Sequence, residues 1–463
     1  MTTDGQPAQG GFEVASRNAA SNSISRATRE DAYSPLQTER WSSGTRIAFR
    51  FVFVYFGVYC CTTQILGSMF PIPKVNIPDL GTLTPLRQIV FWTAAHVFRV
   101  KSQLIYEGSG SGDKTFDWVQ VACFLTIAAI ATVIWSLLDR KRENYVTLHK
   151  WFRLFVRFAL AGQMLAYGFA KLVPLQMPFP FLTRLLEPYG RFSPMGVLWA
   201  AIGASPAYQI FAGCAEALGG LLLFLPRTTL FGALICLADL IQVFMLNMTY
   251  DVPVKLLSFH LILLVLFLLA PDFRRIVKFF FGSSAVQPAS HPPIARSQQA
   301  NRVAFALQLA FGLALVAGNA YGSWEGWHQY GGGREKPALY GIWDVEEMSV
   351  DGQIRSPLLN DYDRWRRVIF DFPTYVAFQR MNDSFPGYTA VYEKDQKTIT
   401  LTNGADKNWK GSLTYQREGQ EQLTLDGEMG NHKVRMRLHR VDHTKFMLPS
   451  RGFHWVQEYP FNR

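Results

Sequence analysis

The sequence predicts an α-helical membrane bundle of about seven spanning helices, four of them forming a core, followed by an antiparallel β-barrel or sandwich. Three observations predict it. Apolar residues make up 49% of the 463, and they gather into seven runs of roughly 18 to 22 residues before Tyr321, each long enough to cross ~30 Å of hydrocarbon as a helix. After Ser323 no such run recurs, and short alternating stretches separated by turn dipeptides take over. The net charge of +11 falls on the helical part, because residues 323–463 carry 19 Lys/Arg against 19 Asp/Glu.

Positive charge flanking apolar runs marks cytoplasmic loops. No basic run interleaved with aromatics lies outside the helix flanks, so nucleic acid is not an expected partner. All five cysteines (Cys60, Cys61, Cys123, Cys214 and Cys236) sit in apolar runs without Cys-x-x-Cys or zinc spacing, which reads as small buried hydrophobes rather than thiol chemistry or a metal site.

In chain order, residues 1–45 are rich in Ser, Asn, Gln and Arg and are predicted to be a disordered cytoplasmic tail. They lack the apolar core of a signal peptide, and Asp4, Glu13, Glu30 and Asp31 interrupt the basic residues that a transit peptide needs. Residues 46–150 hold two spanning helices, at 47–67 and 117–138, joined by a long outer loop. The 85–98 part of that loop is apolar at helical period and is predicted to lie along the interface. Asp139-Arg140-Lys141-Arg142 then marks the cytoplasmic side.

Residues 151–275 supply the core helices, near 152–173, 206–225, 228–246 and 253–270. A Pro/Ser/Gln linker at 276–301 and a seventh helix at 302–322 follow, which leaves 323–463 outside as an extracytoplasmic β domain. Its predicted strands are 339–345, 367–372, 388–392, 398–402, 411–415, 422–425 and 434–438, separated by turn dipeptides such as Asp351-Gly352, Asn403-Gly404 and Asp426-Gly427.

The candidate site lies among polar residues within the core helices. Gln209, Gly213, Glu216 and Gly220 recur at spacings of four, three and four on one helical face, with Glu216 near mid-bilayer. A buried acid there is either functional or a protonated hydrogen-bond donor to a neighbouring helix. Asp239 and Gln242 share a stripe on the next helix, and if Glu216 and Asp239 face each other, one of them holds a proton and the pair can relay protons. Gln163, Tyr167 and Lys171 form a third stripe, in which Lys171 either snorkels to the outer headgroups or turns inward. Tyr250, Asp251 and Lys255 open the last core helix; Asp251 suits the capping region and is placed to pair with Lys255, and Pro253 suits the first helical position. His260, alone among core-helix histidines, makes no bis-His haem site and reads more simply as a packing residue. These groups fall in the outer half of the bilayer, beneath the β domain, and a loop of prolines and aromatics from Pro174 caps the mouth.

Several short motifs in this order carry a family resemblance: Tyr167-Gly168-Phe169-Ala170-Lys171-Leu172, the turns at 185–190 and 193–196, Ala215-Glu216-Ala217-Leu218-Gly219-Gly220, Arg227-Thr228-Thr229, and Met245-Leu246-Asn247 through Lys255. Residues 151–275 resemble the DoxX family of four-helix membrane proteins, and Gly341-Ile342-Trp343 resembles the Gly-x-Trp opening of lipocalin-like barrels, in which the Trp plugs one end. The DoxX resemblance implies a multi-pass protein of the bacterial cytoplasmic (inner) membrane, with a periplasmic C-terminal domain and a link to quinone-dependent redox chemistry. On that basis the chain is expected to be a subunit of a quinone-using oxidoreductase, with Glu216 and Asp239 handling protons. Gln163, Tyr167, Lys171, Gln209, Gln242, Tyr250, Asp251, Lys255 and His260 are expected to line the quinone site. No haem, flavin or metal is expected, so any redox centre is a diffusible quinone or belongs to a partner subunit. The alternative is a non-catalytic envelope protein whose lipocalin-like domain binds an apolar ligand or partner. A barrel with an open apolar cavity favours that alternative, and a barrel filled by side chains weakens it.

Overall fold

The computed structural model describes residues 40–282, 285–286, 293–295, 297–393, 395–406 and 408–462. Residues 1–39 of the predicted tail and most of the middle of the predicted linker lie outside the described residues. The chain divides into two compact units, one running to Tyr59 together with Val121–Arg153, the other comprising Cys60–Gln120 and Leu154–Arg463.

The helices are α1 (Ser43–Thr62), α2 (Gln64–Met69), α3 (Leu86–His96), α4 (Thr115–Leu138), α5 (Val146–Leu172), α6 (Leu182–Leu186), α7 (Pro194–Gly203), α8 (Pro206–Leu222), α9 (Thr229–Thr249), α10 (Lys255–Leu269), α11 (Phe273–Phe281) and α12 (Gln298–Gln329), with α13 (Met447–Ser450) after the strands. The predicted first span is broken at Thr63 into α1 and α2, and the predicted helix at 85–98 is α3. Among the described residues, five helices are long and apolar enough to cross a membrane: α1, α4, α9, α10 continued through α11, and α12. The pair α7 and α8, bent by 97°, makes a sixth if counted as one broken span. This is fewer than the seven apolar runs predicted. Helix α5 is long enough at 27 residues, but it carries Lys150, Arg153, Arg157 and Lys171, and α8 alone is only 17 residues long.

In the first unit, one arginine holds the helix ends. Arg50 of α1 donates to Tyr145 Oη at 2.9 Å, Ser136 Oγ at 2.7 Å and the Asp139 carbonyl at 2.9 Å, so it satisfies an orphan carbonyl at the C-terminus of α4.

The β domain is an antiparallel barrel of eight strands. Strands β1 (Gly341–Val350), β3 (Trp365–Phe372), β4 (Tyr375–Arg380), β5 (Gly387–Glu393), β6 (Thr398–Thr402), β7 (Lys410–Glu418), β8 (Gln422–Met429) and β9 (His432–Val441) pair in sequence, and β9 closes on β1. A two-residue β2 (Gln353–Ile354) folds back on β1 through Asp351 (φ 52°) and Gly352 (φ 80°), the left-handed pair that a tight hairpin needs. The predicted turn at Asp426-Gly427 is not one: both residues lie inside β8, paired with Arg435 and Val434. The chain instead reverses after Met429, where Gly430 (φ 64°) takes the left-handed conformation. Gly427 is glycine for another reason, since a Cβ there would stand 2.0 Å from the Ser412 carbonyl oxygen.

Inward residues of every barrel strand form one buried apolar cluster that includes Trp343, Trp365, Phe370, Phe378, Leu401, Leu425 and Met436. An eight-stranded barrel has an interior just wide enough to be filled in this way. Trp343 is fully buried and donates its indole N–H to the Leu339 carbonyl at 2.9 Å, and Arg417 lies over its ring. The Trp therefore lies inside the barrel near the start of β1.

Outward residues Ile342, Ile369 and Ala377 form a second buried cluster with Leu182 of α6. Asp371 of β3 fixes this contact, accepting the Leu182 N–H at 2.8 Å and an ion pair from Arg334. Arg191 adds bonds to the Asn382 and Asp383 carbonyls. The barrel is thus seated on the segment that follows α5.

Candidate functional site

Glycines bring the site together. A Cβ at Gly168 of α5 would lie 2.8 Å from the Ala217 nitrogen, and one at Gly213 of α8 would lie 2.7 Å from the Gly168 oxygen, so the two backbones touch where any larger residue would hold them apart. On the far side of α8, Gly219 leaves room for Cys236 Sγ of α9, 2.8 Å from where its Cβ would stand. Three helices are thereby held close around one acid.

That acid is Glu216. Lys171 Nζ donates to both of its carboxylate oxygens at 2.6 Å, and both side chains are at least nine-tenths buried. Of the two alternatives for Lys171, the structure has the inward one. A lone charge at this depth carries a desolvation cost of several kcal/mol, and mutual neutralisation with short charge-assisted bonds offsets it. Asp239 of α9 lies within Coulombic reach of both Glu216 and Lys171, and its Oδ2 is buried with no hydrogen-bond partner among the described residues. One lysine therefore faces two carboxyls, and the cluster is one proton short of neutrality whenever both acids ionise.

Tyr167 stands one turn before Lys171, with the Lys171 ammonium 5.7 Å from its ring centre. Its hydroxyl accepts from Gln64 Nε2 at 3.2 Å, and Gln163, one turn earlier, donates to Ser68 Oγ at 2.8 Å. Gln209 clasps the Met177 backbone, donating to its carbonyl at 2.6 Å and accepting its N–H at 3.1 Å. These amides therefore tie α5 and α8 to the segments around them.

Tyr167 also lines a cleft of about 440 Å³ together with Gln176, Asn319, Tyr321, Tyr330 and Pro71. One wall of the cleft comes from α12, where Gly318 and Gly322 line it and Gly326 continues the same stripe, which the sequence reading missed. A Cβ at Gly318 would strike the Pro71 carbonyl at 2.2 Å and one at Gly326 would strike Tyr330 at 2.7 Å, whereas a Cβ at Gly322 meets nothing within 4 Å. The outer two glycines make contacts and the middle one leaves a recess. Gln176 Oε1, at the same cleft, is buried without a partner among the described residues.

The remaining predicted residues divide between exposed positions and partners outside this cluster. Gln242 is on the exposed side of α9. Tyr250 ends that helix, and Asp251 is exposed with φ 53°. Asp251 does pair with Lys255 at 2.9 Å, as its spacing predicts, but it does not cap α10. Asp113 of the long loop caps α10 instead, accepting the N–H groups of Lys255 at 2.8 Å and Leu256 at 2.9 Å. Pro253 precedes that helix, which begins at Lys255. His260 is buried with Nδ1 2.6 Å from the Leu256 carbonyl, as a packing histidine would be. Nothing local could have exposed the Asp113 cap, since 142 residues separate the partners.

No family model matches the chain, and no solved structure matches it. The chain is similar to the uncharacterized protein YwoB of Bacillus subtilis (strain 168), at 33% identity over 129 residues, 28% of this chain and 79% of the relative. A shared segment of that identity covering most of the bacterial protein shows common descent, and the chain belongs to the family of YwoB.

Proposed function

We propose that the chain is a DoxX-like integral protein of the bacterial cytoplasmic membrane and acts as a quinone-linked, redox-associated subunit. The N-terminus is cytoplasmic and the barrel is periplasmic. The cleft beside Tyr167 receives the quinone ring from the barrel side of the bundle. Reduction of a quinone to a quinol takes two electrons and two protons. A partner subunit provides the electrons, and the buried cluster provides a route for the protons.

One observation carries this reading: Lys171, Glu216 and Asp239 share a buried cluster directly behind Tyr167, whose ring also lines the cleft. The residues fit the group. Tyr167, Tyr321 and Tyr330 offer faces for a flat ring, and Gln176 presents an amide not engaged elsewhere among the described residues. Asp239, whose Oδ2 has no hydrogen-bond partner among the described residues, sits beside a neutral ion pair, so the cluster is neutral when Asp239 holds a proton and carries one negative charge when it has released it, as a proton-relay group requires. The side-chain-filled barrel favours this reading over capture of an apolar ligand inside the β domain.

The test is extraction of the protein in mild detergent and mass spectrometry of the isoprenoid quinones that remain bound. The wild type is expected to retain quinone with a pH-dependent affinity, and Glu216→Gln is expected to flatten that dependence while the protein stays folded. Absence of bound quinone after reconstitution with added quinone overturns the proposal, as does an unchanged pH profile in Glu216→Gln.

A further inference from the structure

The end of the bundle opposite the cleft carries a second surface. Two short reversals, at residues 223–228 and 250–254, make α10 run in the same sense as α8, whose first turn holds Gln209 beside Met177. Helix α11, which continues α10, therefore emerges at the end away from the barrel.

Lys255–Phe281 counts as one helical run of 27 residues, which at 1.5 Å per residue is roughly 40 Å long, about two turns more than the ~30 Å of hydrocarbon requires. The excess is α11. Phe273, Ile276, Val277, Phe280 and Phe281 recur at i, i+3, i+4, i+7 and i+8 and form one side of it, while Arg274, Arg275 and Lys278 form the other. Exposure is high on the apolar side, 62% for Phe280 and 87% for Phe281. Arg275 is bonded to Asp272 at 2.8 Å, and Arg274 and Lys278 are exposed. So large an aromatic face would be costly in water, and the opposite face concentrates positive charge.

We propose that α11 docks on a leaflet rich in acidic phospholipid, with its phenylalanines entering the headgroup–acyl boundary and Arg274 and Lys278 meeting lipid phosphates. The proposal rests on the membrane placement above and adds a lipid preference to it. Charge complementarity selects this occupant: a second copy of the same face would bring like charges together, and a zwitterionic leaflet offers phosphates already paired with cationic headgroups and no net negative potential.

The test uses the full chain in nanodiscs of phosphatidylcholine with and without phosphatidylglycerol, with retained lipid identified by native mass spectrometry. The wild type is expected to enrich phosphatidylglycerol. Combined Arg274→Gln and Lys278→Gln is expected to reduce the enrichment by roughly fivefold per residue removed. A second variant, Phe280→Ser with Phe281→Ser, keeps the charges and is expected to lose hydrogen-exchange protection over residues 273–281 in the bilayer. Equal lipid retention by wild type and the charge variant, or a dimer that the phenylalanine variant dissociates, overturns the proposal. If carbonate washing strips the wild-type chain from membranes, the membrane reading itself fails; loss of the lipid preference alone leaves that reading intact.

Discussion

The barrel and the helical bundle solve burial in opposite ways. Inside the barrel nearly every inward position is a large apolar side chain, and strand alternation turns most charges outward, with Asp371 buried beneath α6 and Arg364 buried just before β3. Inside the bundle, Lys171 of α5 and Glu216 of α8 form a short ion pair, Asp239 of α9 lies within Coulombic reach of both, and small residues hold the backbones close. A packed apolar interior provides stability without chemistry, and a charged interior brings a desolvation cost that chemistry would justify. Under the proposed function, the charged cluster of the bundle is therefore where substitutions test chemistry, and the filled barrel is where they test packing.

The largest effect should come from breaking the ion pair. Lys171→Met leaves the Glu216 carboxylate buried alone and is expected to cost ~3–5 kcal/mol, whereas adding Glu216→Leu to it should restore most of the loss. In the barrel, Phe378→Ala should cost a similar ~3–5 kcal/mol through the cavity it leaves, with no simple partner substitution that recovers it. Thermal unfolding in detergent of these three variants separates the two kinds of interior. A double variant no more stable than Lys171→Met would show that the pair is not an isolated unit.

An intermediate effect is expected where the two regions meet. Asp371 accepts one backbone N–H and one guanidinium, and it is 5% exposed. Asp371→Ala should remove about 1.5–3 kcal/mol of charge-assisted bonding and leave the Leu182 N–H and Arg334 without that acceptor. Limited proteolysis is the readout: faster cleavage between the helices and an otherwise intact barrel is expected, and an unchanged digestion pattern would mean that the apolar cluster around Leu182 suffices.

The same contrast explains what could be read in the sequence. Strands β6 and β9 announce themselves by alternation, because one face is in the barrel and the other in solvent. Strand β4 does not. Its Val376, Ala377, Phe378 and Gln379 are all buried, since Val376 and Phe378 point inward while Ala377 packs against α6, so the period-2 signal disappears. Asp426-Gly427 misled because glycine was needed there for a close backbone approach rather than a turn. In the bundle, the depth of Glu216 and its place on the Gln209, Gly213 and Gly220 stripe made it a candidate in the sequence. Its partner was not decidable, since an inward and a snorkelling Lys171 have the same sequence. The cleft escaped notice because its shaping residues are glycines on α12, which packs against α5 and Phe224 and lies outside the motifs of the core helices.

The smallest effect tests the barrel's own surface. Asp351, at the β1–β2 hairpin, is held below its ordinary value of 3.8 first by the bond from the His432 ring and then by the Lys433 N–H. A carboxyl with a depressed folded-state value contributes stability above its unfolded value and loses that contribution as pH falls through the lower, folded one. Acidification below 3.8 should therefore loosen this hairpin against β9 while the filled interior, which has no share in that titration, stays protected. Amide exchange at Lys433 reports it directly, because that N–H is bonded to Asp351 Oδ1 at 2.9 Å. In Asp351→Asn the left-handed backbone is still accommodated, so the fold should persist while the acid-dependent rise in exchange disappears. If Lys433 exchange in the wild type is flat across that range, the hairpin is fixed by its turn geometry and strand pairing rather than by the carboxylate.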